Sequence, residues 1–186
     1  NKFETIESAS VKNEMFDIIR DSKVPEKIYI LFEMILSSDP EIKDKGLEAL
    51  HKYYFDDKYE EAVLILLQEF CMKNLKIISS IEKDAIAAFI IKQKLFERIV
   101  KNLKLPDAAQ RIASVNMIGI ISDPKAAPLL LTLTKDPSWE VRHAVVKVLG
   151  NMQHEPLLPY FQEMLEDPEM NVQIAAVEAI GKLKSQ

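Results

Sequence analysis

The sequence predicts an all-α protein built of stacked helical hairpins, and three observations carry that prediction. A 31-residue repeat runs through the C-terminal half of the 186-residue chain. Each copy holds one long amphipathic helix behind a shorter apolar segment, and the N-terminal half shows the same plan with looser spacing. Self-similarity at a fixed period is the mark of a repeat architecture, in which each unit needs its neighbours to cover its apolar face.

Gly119, Gly150 and Gly181 stand 31 residues apart, as do Pro106, Pro137 and Pro168. Between them Ala113, Ala144 and Ala175 align, then Val115, Val146 and Val177, and then Ile118, Leu149 and Ile180. Three copies that agree at Pro, Ala, Val and Gly are not a product of chance.

The segment from proline to glycine reads as a helix. Val141, Ala144, Val145, Val148, Leu149 and Met152 recur at the spacing that places residues on one helical face. The next copy repeats it with Val172, Ala175, Ala176, Ala179, Ile180 and Leu183, and the previous one with Ala113, Ser114, Met117, Ile118 and Ile121. The aligned alanines predict close approach of a neighbouring helix. The prolines are expected in the first helical turn and the glycines at the helix end, where a positive φ is needed. Shorter apolar segments precede these helices at Leu95 to Leu103, Pro128 to Leu133 and Leu157 to Leu165. Asp136 and Asp167, each before a proline, are expected to cap the long helices.

In the N-terminal half, Asp39-Pro40-Glu41-Ile42 followed by Leu47-Glu48-Ala49-Leu50-His51-Lys52 echoes Asp167-Pro168-Glu169-Met170 followed by Val177-Glu178-Ala179-Ile180-Gly181-Lys182, with two residues fewer between. Ile28 to Leu36 is the matching first helix. A further hairpin spans Tyr59 to Cys71 and Leu75 to Ile91, its second helix expected to face the core with Ile78, Ile81, Ala85, Ala88 and Phe89. Phe3 to Arg20 reads as a capping helix. The prediction is therefore about eleven helices, in five hairpins plus a cap, in one domain over 1–186, with degenerate repeats over 1–91 and regular ones over 92–186.

Composition narrows the chemistry. Residues 1–104 carry 17 basic and 19 acidic groups and residues 105–186 carry 7 and 10, so the nets are -2 and -3, summing to the -5 of the chain. Neither half offers the clustered Lys/Arg excess through which proteins neutralise phosphates, so no nucleic-acid partner is expected. Three of the four glycines belong to the repeat and leave only Gly46, so no phosphate-cradling loop or dinucleotide fingerprint can be assembled. His51, His143 and His154 lack metal-site spacing, and no nucleophile stands beside a base; neither a metal, a cofactor nor catalysis is expected. The single cysteine, Cys71, lies in an apolar run and reads as a small buried hydrophobe in a reducing compartment, the cytoplasm. No apolar stretch is long enough for a membrane span. The first residue is Asn1 rather than Met, which is compatible with an upstream anchor, signal or domain.

The segment Pro137-Ser138-Trp139-Glu140-Val141-Arg142-His143-Ala144-Val145-Val146-Lys147-Val148-Leu149-Gly150 resembles the second helix of the short HEAT-like repeat, of the kind also found in phycobilisome lyases. The family pattern is Asp-Pro, then Val-Arg, then Ala, then a hydrophobic residue and Gly. The copy at 167–181 has Gln173 for the Arg; the copy at 106–119 has Leu105 for the Asp and Gln110 for the Val but keeps Arg111. The resemblance covers residues 93–184 well and 25–91 loosely. It implies a right-handed α-α superhelix whose Asp and Arg form a ladder between repeats, which assigns Asp136, Arg111 and Arg142 to structure. It also implies a curved binding scaffold, with adaptation to bilin attachment or to damaged DNA as alternatives.

The repeat also selects candidate site residues. Core columns stay constant while Ala108, Trp139 and Met170 vary, as do Ala109, Glu140 and Asn171, then Ile112, His143 and Ile174, then Asn116, Lys147 and Glu178. In HEAT-like stacks these positions line the concave surface. Trp and Met are frequent binding anchors. The expected partner-binding set is Trp139, Glu140, His143, Lys147, Met170 and Ile174, and the expected partner is a protein or peptide. The competing reading packs Trp139 against the next hairpin.

Overall fold

The computed structural model describes residues 26–53, 57–74, 76–92 and 94–184. Among the described residues there are ten α-helices and no strand: α1 (Glu26–Ile35), α2 (Pro40–Lys52), α3 (Glu60–Asn74), α4 (Ser80–Lys92), α5 (Phe96–Asn102), α6 (Ala108–Ile121), α7 (Ala127–Leu131), α8 (Trp139–Asn151), α9 (Leu158–Met164) and α10 (Met170–Lys184). Their number is that of the five expected hairpins, and α1 with α2, α7 with α8 and α9 with α10 pack as successive pairs; the expected cap over Phe3 to Arg20 lies outside the described residues. The chain divides into two compact units that meet in sequence at Phe96 and Glu97.

In the first unit α1 packs on α2 and α3, and α2 packs on α4. Aromatic rings fill its core: Phe32 stacks on Phe70 with centroids 4.7 Å apart and meets Phe89 edge-on at 6.2 Å. Ile28, Leu31, Ile35, Leu50, Leu64, Leu67 and Cys71 are fully buried around them. Gly46 is needed for a close approach, because a Cβ there would lie 2.8 Å from the Met34 Cβ and 3.1 Å from the Ile35 nitrogen. Helix α2 begins as its sequence dictates: the Asp39 carboxylate accepts the Glu41 and Ile42 N–H groups, and Pro40 occupies the first turn. Helix α4 departs from expectation. It starts at Ser80 rather than near Leu75, and its buried face carries Glu82, Ile86, Phe89 and Ile90, while Ile81 is 64% exposed. The reason lies at the helix start: the Glu82 carboxylate reaches back to accept the N–H and hydroxyl of Ser79, which ties the first turn and turns Glu82 inward.

In the second unit the long trailing helices α6, α8 and α10 pack side by side, α6 on α8 and α8 on α10, with α9 against α10. The predicted stripes form the core: Val141, Ala144, Val145, Val148 and Leu149 are buried, as are Val172, Ala175, Ala176 and Ala179. Two details are corrected. The prolines 106, 137 and 168 precede the helices instead of occupying their first turn, since α6, α8 and α10 begin at Ala108, Trp139 and Met170. The repeat glycines have no positive φ; they lie within helices, and among the described residues of this unit the left-handed positions are Ser122 and Gln153. What the glycines supply is room. A Cβ on Gly119 would meet Val148 Cγ2 at 2.8 Å, and one on Gly150 would meet the Ala179 Cβ at 2.7 Å. Both contacts join a glycine to the residue 29 positions later, so the two helix pairs share one register.

Candidate functional site: the trailing-helix face of the second unit

Beneath the candidate surface runs a ladder of buried ion pairs. The Arg111 guanidinium donates to both carboxylate oxygens of Asp136, at 2.8 and 2.7 Å, and its remaining N–H groups reach the carbonyls of Leu105 and Pro106. One repeat on, Arg142 donates to both oxygens of Asp167, at 2.7 and 2.9 Å, and to the Asp136 carbonyl. Bidentate geometry of this kind fixes orientation as well as charge. Asp136 and Asp167 also accept the N–H groups of Ser138 and Glu169, so each is tied to the entry of its own helix while gripping the preceding one. Burial would raise the Asp167 pKa, but the hydrogen bond from Arg142, the largest influence, holds it below the usual carboxylate value. Gln173 keeps the carbonyl contact, to Asp167, without the charge.

The first unit holds a looser version. Lys43, at the place of the arginines, donates to Glu82 at 2.8 Å across α2 and α4. Burial pushes the Glu82 carboxyl up, yet the hydrogen bonds from Lys43 and Ser79 prevail and bring it to about 2.

Above the ladder the expected site residues separate into two groups. Trp139, His143 and Lys147 follow one another at four-residue spacing along α8; Trp139 and His143 are half-buried and Lys147 is exposed. The Trp139 and His143 rings meet edge-on with centroids 6.3 Å apart. Trp139 is thus neither core nor fully free: its ring is partly covered and its remainder faces outward. Burial lowers the His143 pKa first, Lys147 lowers it further and Glu178 opposes both, which keeps the imidazole neutral near pH 7 and places α10 within electrostatic reach of α8. On α10, Met170 and Ile174 are exposed at 70% and 50%. Glu140 projects into solvent; its carboxylate accepts the Ser138 hydroxyl at 2.6 Å, which lowers its pKa.

Two features escaped sequence reading. Val177, aligned with the buried Val115 and Val146, is 61% exposed. In the first unit, Leu47, His51, Ala85, Ala88 and Phe89 line a small cavity of about 180 Å³ between α2 and α4. The four-residue spacing of Leu47 and His51 gives them a shared face, and Ala85, Ala88 and Phe89 are residues that the sequence already groups on one face of α4. Cys71 is buried, which pushes its thiol up to about 12 and leaves it unionised at neutral pH. Among the described residues, no three His, Cys, Asp or Glu side chains gather as a metal site, and no helix is long and apolar enough to cross a membrane.

The crystal structure of an engineered protein is similar at 18% identity, covering 99% of this chain and 94% of that one, with a TM-score of 0.45. A designed armadillo repeat protein in complex with the peptide (KR)4 is similar at 16% identity over 94% and 92% of the two chains, with a TM-score of 0.45. The complex of CpcE and CpcF of phycocyanin lyase from Nostoc sp. PCC7120 is similar at 22% identity over 89% and 66%, with a TM-score of 0.47. No curated protein matches. The family model for HEAT repeats matches residues 127–186, the stretch that contains α7 to α10 and the Arg142–Asp167 rung. The repeat register and the glycine sockets of the second unit agree with this match, which makes residues 127–186 similar to HEAT repeats.

Proposed function

We propose that the chain is a non-catalytic scaffold that binds a protein or peptide on the trailing-helix face of its second unit, with Trp139, His143, Lys147, Met170, Ile174 and Glu140 as the contact residues. One observation carries the reading: a partly covered aromatic pair, Trp139 and His143, lies beside exposed Met170 and Ile174 on helices locked by buried bidentate ion pairs. A rigid platform loses little conformational freedom on binding, and half-covered Trp with adaptable Met is the chemistry of an anchor. Neutral His143 adds a hydrogen-bonding group without the desolvation cost of a charge. Lys147 and Glu140 at the margin supply opposite charges that orient a ligand.

The test uses peptides selected from a displayed random library on the wild-type chain, with affinity read by fluorescence anisotropy. Trp139→Ala is expected to weaken the selected peptides about 30-fold, the size of a hot-spot loss of roughly 2 kcal/mol. Helical circular dichroism and thermal midpoint should stay close to wild type. Equal affinity for the variant, or loss of its fold, overturns the reading.

A further inference from the structure

The first unit departs from the repeat at one position, and a cavity opens there. In the second unit Gly119 and Gly150 let Val148 and Ala179 seat closely against the preceding trailing helix. In the echo of the repeat over α2, His51 stands where Gly181 stands in α10. An imidazole cannot admit a facing helix as a glycine does, and α2 meets α4 less closely than α6 meets α8. The opposite helix brings little to fill the gap, since Ala85 and Ala88 face it. The resulting void holds about 180 Å³ and is lined by Leu47, His51, Ala85, Ala88 and Phe89.

The cavity has a fixed floor and an open mouth. Phe89 is 2% exposed, and its ring rests against Phe32, edge-on at 6.2 Å, and against Tyr53 at 6.4 Å. Leu47 and Ala85 are half-buried walls, while His51 and Ala88 are exposed at the mouth. Nearer the start of the two helices, the Lys43–Glu82 pair ties α2 to α4 and fixes one end of the gap.

Size and lining select the ligand. A void of roughly 150 Å³ walled by Leu, Ile and Phe accepts benzene, so this one takes a single aromatic ring with a small substituent. Such a ring finds an aromatic partner in Phe89. Burying a charge against Leu47, Ala85 and Phe89 would be costly, which favours a neutral molecule. His51 is the polar side chain of the lining, and at the mouth its imidazole meets the substituent, where it can hydrogen-bond a hydroxyl. We propose that the α2–α4 cavity binds a small neutral phenol, its ring against Phe89 and its hydroxyl toward His51. The site lies wholly within the first unit and is independent of the peptide-binding reading.

Titration of the isotope-labelled chain with phenol, followed through its amide chemical shifts, reads the outcome. The shifts are expected to centre on the cavity lining and to saturate with a Kd on the order of 1 mM, as suits so small a ligand. Ala88→Leu adds a side chain at the mouth from an exposed position and should weaken phenol about tenfold or more, with unchanged helical circular dichroism. Ala85→Val, a second filler on the same helix, is expected to act alike. His51→Leu should still take up benzene but lose about fivefold of the preference for phenol over benzene, the worth of one hydrogen bond. Shifts that grow without saturation, or that persist in both filled variants, overturn the site. A phenol preference unchanged in His51→Leu overturns the assignment of the hydroxyl to His51.

Discussion

At the scale of single residues, the rungs Arg111–Asp136 and Arg142–Asp167 are the most consequential contacts because both partners are withdrawn from water. The side chains of Arg142 and Asp167 are 11% and 3% exposed. Removing one member strands the other's charge in a poorly solvated place, so Asp167→Ala should cost about 3 kcal/mol in urea unfolding, the low end for a broken buried pair. The double variant Asp167→Ala/Arg142→Met should recover part of that loss, as a double-mutant cycle will show. Additive losses would mean that the two side chains act separately. The pairing was legible in sequence only through the family resemblance. Its geometry was not: an Asp-Pro step suggests a helix cap, and nothing local shows that a guanidinium from the preceding repeat takes both oxygens.

At the scale of elements, the glycines mark the limit of local reasoning. Composition near a helix end suggests a positive φ, but the requirement at Gly119 and Gly150 comes from the next helix, which a sequence window does not contain. The same residue type therefore behaves in opposite ways along one column. Gly150→Ala places a methyl 2.7 Å from the Ala179 Cβ and should destabilise the chain, because two helix backbones must separate to admit it. Gly181→Ala meets open space within a helix and should stabilise by about 0.5–1 kcal/mol when measured in dilute solution. Thermal midpoints that move in the same direction for both would refute the socket explanation. Helix α4 teaches a related lesson: its apolar residues could be counted in either of two phases, and the buried acid that settles the phase, Glu82, is a residue type that pattern reading assigns to solvent. The strongly periodic α8 and α10 were read correctly because small and branched residues coincide there with an unbroken 3.6-residue rhythm.

At the scale of the whole molecule, each unit contains a carboxylate whose folded pKa lies below its ordinary value, Glu82 in the first and Asp167 in the second. A depressed folded pKa contributes stability that is complete above the unfolded value, about 4 for a carboxylate, and fades as pH falls toward the folded one. The urea midpoint of the chain should therefore decline from about pH 4.5 toward pH 2, with the unfolded chain taking up more protons than the folded one. The Glu82→Gln variant should show a shallower decline than wild type; an equally steep one would remove Glu82 as a source.

The shared register of the glycine sockets has a directional consequence. The repeat advances by 31 residues, yet Gly119 and Gly150 each meet the residue 29 positions on, so α8 and α10 are each offset from the preceding trailing helix by two residues, or about 3 Å along the axis. The staircase always descends the same way. On the proposed binding face, an extended ligand crossing from Trp139 to Met170 would therefore run at a slant to the helices instead of square across them.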